Sequence, residues 1–280
     1  MSQPPRRRLL ARTVVLDRAI EALPLFRLSD SGEEVAISFA AEGGGRWRVL
    51  PAPGERLPGT FDQDVYVELL RRYHEADAPA DGVLTFTLHD FLRTMGRRVD
   101  GRTYEQLRSA LNRLQRTALE SADAWFDAAT GQRWSGQFTI LTTVSIDRRR
   151  LTDRDQLALF SSLTNNEPGD AHVTLAPQLR TNLGAGFTTT LSSARYSQLS
   201  SPVARRLYRL LQVARHDHGK SWDVPLERLA EQLPLAQRYP SHLQRVLQPA
   251  HEMLLAAGVL RNAAVSPQDK TWMVSYQIAE

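Results

Sequence analysis

The sequence predicts an α+β protein in which one small fold occurs twice. Apolar residues fall at helical or strand spacing in the order helix, strand, short helix, longer helix, hairpin. This order occurs once in each half of the 280-residue chain, with the two copies about 140 residues apart. A helix-turn-helix followed by a β-hairpin wing is a winged helix, so we expect two tandem winged-helix domains.

The predicted organisation has four parts. Residues 1–12 form a flexible basic arm that contains Arg6, Arg7 and Arg8. Residues 13–147 form the N-terminal winged-helix domain and residues 148–170 a linker region. Residues 171–280 form the C-terminal winged-helix domain.

The N-terminal domain begins with a predicted hairpin and a helix. Ile37 and Phe39 alternate with polar residues, as do Trp47 and Val49, and the glycines at 43–45 provide the turn. The helix after this hairpin starts at Thr60, which can form a capping box with Gln63. Its inward stripe has residues at i, i+4, i+8 and i+12, which are Phe61, Val65, Leu69 and Tyr73.

The remaining elements of this domain complete the predicted winged helix. A short strand and a short helix follow Gly82, with Leu84, Phe86, Leu88, Phe91, Leu92 and Met95 inward. A longer helix is expected over about 102–118, with an inward stripe of Tyr104, Leu107, Leu111, Leu114 and Ala118. A turn at Thr130 and Gly131, between aromatic and alternating segments, predicts the wing.

The C-terminal domain repeats the order. Pro202 suits the first turn of a helix, whose inward stripe is Val203, Leu207, Leu210, Leu211 and Ala214. A strand at Trp222 and Val224 leads to a short helix from Pro225. The longer helix runs from about Ser241 to Gly258, with Leu243, Leu247, Ala250 and Leu254 inward. A hairpin around residues 266–269 is the second wing.

The composition is that of a folded protein without thiol chemistry. Hydrophobic residues make up 42% of the chain and charged residues 24%, which suffices for a buried core. Cysteine is absent, which excludes disulfides, Cys-ligated zinc, iron–sulfur clusters and thiol catalysis. No apolar run reaches the ~18–20 residues of a membrane span, and no cleavable signal is evident. We therefore expect a cytoplasmic protein without a membrane partner.

The basic residues are almost all arginine. The chain has 35 basic and 31 acidic residues, a net charge of +4, and its only lysines are Lys220 and Lys270. Arginine suits bidentate contacts to phosphate and guanine. A GC-rich genome would produce the same bias, so the placement of the arginines has to decide between the two explanations.

The outward faces of the two longer helices are the candidate DNA-reading surfaces. A helix-turn-helix places its second helix in the major groove, where Arg pairs with guanine and Asn or Gln with adenine. At 100° per residue, the face opposite the leucines of the first longer helix carries Arg102, Glu105, Ser109, Asn112, Arg113 and Arg116. On the second, the corresponding face carries Ser241, His242, Gln244, Arg245 and Gln248. An ordinary solvated helix face is the alternative interpretation.

The predicted wings and the basic segments add candidate backbone contacts. Arg133 lies near the tip of the first wing and Lys270 near the tip of the second, where a cation would meet phosphate or a minor groove. Trp134 and Trp272 lie beside them and fit the core of a short strand as well, Trp272 more so. The basic arm and the arginines at 148–150 could make phosphate contacts that do not depend on sequence.

No catalytic or metal site is expected. The chain has no GxxxxGK phosphate loop, and it therefore does not resemble a P-loop ATPase. The sequence His216-Asp217-His218 is superficially similar to the paired histidines of metal-dependent nicking enzymes. Those enzymes need a hydrophobic middle residue on a strand, and here the middle residue is Asp at a helix end. We expect no cofactor and no enzymatic activity.

Five segments give the chain a resemblance to the plasmid replication initiator A family, which belongs to the tandem winged-helix initiators. They are GTFDQDVY at 59–66, LHDFLRTM at 88–95, GRTYEQL at 101–107, ALNRLQRT at 110–117 and SPVARRLY at 201–208. The resemblance covers residues 20–280. No motif of the family fixes individual DNA contacts, so the candidate residues above depend on helix geometry alone.

The resemblance implies a sequence-specific DNA-binding protein that initiates replication of a plasmid or secondary replicon. Such a protein binds short direct repeats in double-stranded origin DNA, often represses its own gene, and does not nick DNA. The resemblance also implies recruitment of the host replication initiator and the replicative helicase, and a homodimer in equilibrium with a monomer.

Two other functions remain open from the sequence. One is a transcriptional regulator built from the same two modules, for which a single palindrome in a promoter would be the expected site. The other is a DNA-nicking or processing enzyme, which would show metal-dependent cleavage of origin DNA.

Overall fold

A computed structural model describes residues 13–28, 36–146, 170–237, 239–269 and 271–279 of the chain. In these residues the architecture is a mixture of helices and antiparallel sheets. The same residues include no helix with the length and apolar character needed to cross a membrane.

The elements of the first half follow one another closely. They are β1 (Thr13–Asp17), α1 (Arg18–Glu21), β2 (Ile37–Ala40), a 3₁₀ turn (Glu42–Gly44), β3 (Arg46–Leu50), α2 (Thr60–Glu75), β4 (Val83–Thr87), α3 (Leu88–Thr94), α4 (Gly101–Arg116), β5 (Ala118–Asp127), β6 (Gln132–Phe138) and β7 (Leu141–Ile146).

The second half has a similar density of elements. They are β8 (Asp170–Leu175), α5 (Pro177–Gly184), β9 (Thr188–Ser192), α6 (Ser193–Gln198), α7 (Pro202–His218), β10 (Ser221–Pro225), α8 (Leu226–Gln232), α9 (Pro240–Ala256), β11 (Leu260–Gln268) and β12 (Thr271–Ile278).

Two sets of elements have the same order and the same sheet topology. The N-terminal unit consists of α2, β4, α3, α4, β7 and β8, and its sheet order is β4-β8-β7. The C-terminal unit consists of α7, β10, α8, α9, β11 and β12, and its sheet order is β10-β12-β11. In each unit the last strand lies in the middle of the sheet. The repeated order that the sequence predicts is therefore present, and the strand pairing repeats as well.

The wing predicted for the N-terminal domain is wrong. The hairpin around Thr130 and Gly131 forms as β5 and β6, but these strands belong to a separate sheet of order β2-β3-β5-β6. Its aromatic residues explain the placement, since Trp125 and Phe138 have ring centroids 5.5 Å apart and Trp47 lies 6.1 Å from Phe138. The unit instead uses β7 and β8 beside β4.

Strand pairing also crosses the predicted domain boundary. β8 falls almost wholly in the predicted C-terminal domain, yet it pairs with β4 and β7 of the first half. β1 pairs with β9, with Thr13 opposite Ser192 and Asp17 opposite Thr188. The predicted linker lies outside the described residues except for Asp170, the first residue of β8.

Most of the predicted inward residues are buried, but Phe61, Met95 and Tyr104 are half-buried. Ala118 is also half-buried and is the first residue of β5, not part of α4. Leu69 in α2, Leu107 and Leu111 in α4 and Leu247 in α9 have no exposed surface. The capping box at Thr60 is wrong, because Gly59 is the residue before α2 and its N–H donates to the Asp62 carboxylate at 2.8 Å.

The longer helices start and stop close to the predicted positions. Asp100 caps α4, where its carboxylate accepts from the backbone N–H of Thr103 at 2.9 Å. The helix ends at Arg116, because the chain already enters β5 at Ala118. In the second half, α9 begins with Pro240 in its first turn, which suits a residue without an N–H.

Candidate nucleic-acid interface

Five of the six residues predicted on the outer face of α4 are exposed. Leu107, Leu111 and Leu114 anchor the opposite face in the core. The exposed residues are Arg102, Glu105, Ser109, Asn112 and Arg116. The helical arithmetic therefore places this polar face correctly.

Arg113 differs from the other predicted residues of α4. Its side chain is 22% exposed, and its guanidinium binds both carboxylate oxygens of Asp62 at 3.0 and 3.2 Å. Burial raises the pKa of Asp62, and the charge of Arg113 partly offsets that effect. The structure thus uses Arg113 to hold α4 against α2 and does not present it at the outer face.

Two more charged residues of this face form ion pairs. Glu105 accepts from Arg108 at 2.6 Å, and Arg116 pairs with Glu55 of the loop between β3 and α2. Among the described residues, Arg102, Ser109 and Asn112 have no side-chain partner. These three side chains are free to meet a ligand.

The outer face of α9 is smaller and less charged. Ser241, His242, Arg245 and Gln248 are exposed, and Gln244 is half-buried. Gln248 donates to Glu252 at 2.9 Å, whereas Arg245 has no partner in the described part of the chain. Arg245 is the arginine that this helix offers at its outer face.

The remaining predicted contacts are placed elsewhere or fall outside the described residues. Arg133 lies on the four-stranded sheet and donates to the carbonyl oxygens of Asp123 and Ala124 at 3.4 and 3.3 Å, so it is not on the unit's own hairpin. Trp134 and Trp272 pack against the core. Lys270, the arm 1–12 and the arginines at 148–150 lie outside the described residues.

Two exposed side chains next to these faces were not among the predicted contacts. Arg56 lies on the loop between β3 and α2 and lines a cleft with α4. Tyr239, directly before α9, is 70% exposed, and its ring meets that of His242 edge-on at 5.8 Å. The sequence offered a signal for each, an arginine between Gly54 and Pro58 and an aromatic residue directly before Pro240. Nothing in the sequence places these loops beside the helices.

A buried ionic cluster joins the two halves. Glu21 of α1 accepts from Arg209 of α7 at 2.9 and 3.0 Å and from Arg206 at 3.2 Å. Arg206 also donates to the carbonyl oxygens of Glu21 and Leu23, both at 2.9 Å. Arg209 reaches Gln63 of α2 at 2.7 Å. All three charged side chains are at most 2% exposed, so this cluster fixes α1, α2 and α7 together.

A second cluster beside it is centred on Asp64 of α2. Its carboxylate binds Arg97 at 2.6 Å, accepts from the hydroxyl of Tyr196 at 3.1 Å, and pairs with Arg205 of α7. Tyr196 and Arg205 belong to the second half of the chain. The segments 59–66 and 201–208, which carry the family resemblance, therefore meet at this joint.

The buried carboxyl group of Asp17 makes the stability of the protein depend on pH. Burial raises that pKa from 3.8 to about 7, although Asn182 donates to the carboxylate at 3.1 Å. The folded protein then holds a proton that the unfolded chain has lost above about pH 4. We expect the free energy of unfolding to fall by on the order of 1–2 kcal/mol between about pH 5 and pH 7 from this group.

Urea unfolding of the protein and of Asp17→Asn at several pH values measures this effect. The variant keeps an acceptor oxygen and is expected to lose the decline. Burial lowers the pKa of His251 to about 4, which works in the opposite direction below about pH 6.5, so only the difference between the two proteins reports on Asp17. Parallel profiles would show that Asp17 does not titrate in this range.

The His216-Asp217-His218 segment lies at the exposed C-terminal end of α7. Within the described ranges, no three or more His, Asp and Glu side chains are grouped as metal ligands.

Comparisons with known proteins place this geometry in context. The family model described as replication initiator protein A matches residues 16–253. No curated protein matches the sequence. A structure of domains 2 and 3 of RctB is 12% identical, covers 94% of this chain and 99% of its own, and has a TM-score of 0.60. The Pi initiator protein, solved in complex with iteron DNA, is 11% identical, covers 97% and 99%, and has a TM-score of 0.53.

Proposed function

Because the chain belongs to the replication initiator protein A family, we propose that it starts replication of a plasmid or secondary replicon by binding short direct repeats in the duplex DNA of the origin. The observation that carries this proposal is the repeated unit. Each copy presents the polar face of its longer helix to solvent.

We infer that each unit is a winged helix. The helix–strand–helix–helix–hairpin order and the position of the last strand in the middle of the sheet support this in both copies. In such a fold α4 and α9 are the helices that enter major grooves. Arg102, Ser109 and Asn112 are then the candidate base readers of the first unit, and Arg245 is the principal one of the second.

The joint between the halves bears on the length of the DNA site. Glu21, Asp64 and their arginine partners tie α1 and α2 to α7, and β1 pairs with β9. A fixed joint holds the two helices at one spacing, so the protein would read two short elements at a set distance. The iteron complex of the similar Pi protein supports repeated DNA as the ligand.

The other parts of the function are proposed on the family alone. They are repression of the chain's own gene, recruitment of the host initiator and the replicative helicase, a dimer in equilibrium with a monomer, action in the cytoplasm, and action by binding without DNA cleavage.

DNase footprinting of the purified protein on the DNA flanking its own gene tests the proposal. We expect regularly spaced protection over direct repeats, and none on a duplex of equal length with shuffled sequence. One protected palindrome in a promoter would favour the transcriptional regulator. Metal-dependent cleavage of the DNA would contradict a function by binding alone.

A further inference from the structure

We propose that the loop between β3 and α2, residues 51–58, is a second DNA-contacting element of the N-terminal unit and that Arg56 binds a backbone phosphate. This inference rests on the proposed function, because it takes duplex DNA as the ligand of α4. It adds a contact from outside the helix.

The backbone around Arg56 is fixed on both sides. Glu55, the residue before it, pairs with Arg116 of α4, and its N–H donates to the carbonyl of Ala52 at 2.9 Å. Leu57, the residue after it, is 4% exposed and belongs to the core. Arg56 itself is exposed. A side chain between two anchored neighbours needs little further backbone ordering when it binds a ligand.

The loop and α4 form an open cleft with a polar lining. It is lined by Gly54, Glu55, Arg56, Ser109, Asn112 and Arg113. Ser109 and Asn112 are three residues apart on the helix and therefore neighbours on one face. A hydroxyl, an amide and a guanidinium thus border one space, and each can donate to an anionic oxygen.

The ion pairs of the cleft leave Arg56 as its available cation. Arg113 is bound by Asp62, and Arg116, just beyond the lining, is bound by Glu55. Arg56 has no acidic partner among the residues that the structure describes. Because phosphate contacts come from groups that flank the helix in the groove, a loop arginine beside α4 is placed to meet the backbone.

The test measures binding of Arg56→Ala to the footprinted site and to a random duplex as a function of salt. Loss of one phosphate contact is expected to reduce the slope of log K against log salt by about 1 and to weaken binding roughly 8-fold at 0.1 M salt on both duplexes. Arg56→Lys keeps the charge and is expected to retain the slope. The control is Arg46→Ala, which removes an exposed arginine at the start of β3, about 13 Å along the strand from the end that leads into the loop. It is expected to change neither the salt slope nor the affinity.

A second variant of the same cleft is expected to strengthen DNA binding, whereas Arg56→Ala is expected to weaken it. Glu55→Gln removes a negative charge from the cleft and releases Arg116, so we expect tighter binding to both duplexes and a steeper salt slope. An unchanged salt slope in this variant, with thermal unfolding also unchanged, would contradict the electrostatic role of the loop.

Other outcomes separate this inference from the proposed function. An unchanged salt slope in Arg56→Ala overturns the phosphate contact, and a loss confined to the cognate site would make Arg56 a base reader. If inorganic phosphate stabilises the protein through Arg56 while DNA affinity is unaffected, the cleft binds a free anion and not DNA. Failure of the unaltered protein to prefer its own site would refute the proposed function, and Arg56 would still be tested on random DNA.

Discussion

Replacement of Glu21 with alanine is expected to lower the free energy of unfolding by about 3–5 kcal/mol, the usual loss when one partner of a buried ion pair is removed. Glu21 is fully buried and is the acidic partner of both Arg206 and Arg209, which are 2% and 1% exposed. Without the carboxylate, two guanidiniums remain in the core with carbonyl and amide oxygens as partners. Neither can lose its proton at neutral pH at low cost.

Urea denaturation at neutral pH measures this change. The matched control is Glu105→Ala, which breaks an ion pair with Arg108 on the outer face of α4, where the Glu side chain is 71% exposed. That change is expected to cost less than about 1 kcal/mol. Similar losses for the two variants would show that the buried cluster contributes nothing beyond an ordinary surface pair.

Replacement of Arg245 with alanine is expected to weaken binding to the cognate site by about 1–3 kcal/mol, or about 5- to 150-fold. Arg245 is exposed on α9 and has no partner in the described residues, so it can pair with guanine without giving up an internal contact. A base contact exists only on the correct sequence. Binding to random DNA should therefore change much less.

Fluorescence titration of both duplexes at one salt concentration distinguishes the two kinds of contact. The random duplex is the internal control, and thermal unfolding checks that the variant is folded. Equal losses on both duplexes would mean that Arg245 contacts only the backbone.

The sequence predicts the elements well because periodicity reports which side of each element is buried. Spacing alone predicts four leucines in the core that have no exposed surface in the structure, which are Leu69, Leu107, Leu111 and Leu247. The same helical periodicity, at 100° per residue, predicts the exposed faces of α4 and α9. Local turn chemistry was less informative, as the N-terminus of α2 shows.

Strand pairing cannot be predicted from the periodicity of apolar residues. An alternating segment indicates a strand, but it does not identify the partner strand. The residues from Phe138 to Ile146 alternate almost without interruption, yet β6 ends at Phe138 and β7 begins at Leu141 in a different sheet. The ring of Trp47 in β3 lies 6.1 Å from that of Phe138 in β6, and β5 pairs with β3 in the same sheet.

Acidic residues at the start of α2 show why part of the site was missed. Their position suits the helix dipole, and that interpretation needs no partner. In the structure Asp62 binds Arg113, 51 residues later, and Asp64 binds Arg205, 141 residues later. Glu21 was missed for the same reason. The charges of Arg206 and Arg209 beside the apolar stripe of α7 indicate an acidic partner but do not identify Glu21.

The strand pairing of β1 and β8 sets an order for synthesis of the protein. The first strand remains without its neighbour until Ser192 has left the ribosome, and the middle strand of the first unit arrives only with residues 170–175. A nascent chain that ends near residue 147 carries β4 and β7 with the gap between them unfilled. The first half of the chain therefore completes its fold only during translation of the second.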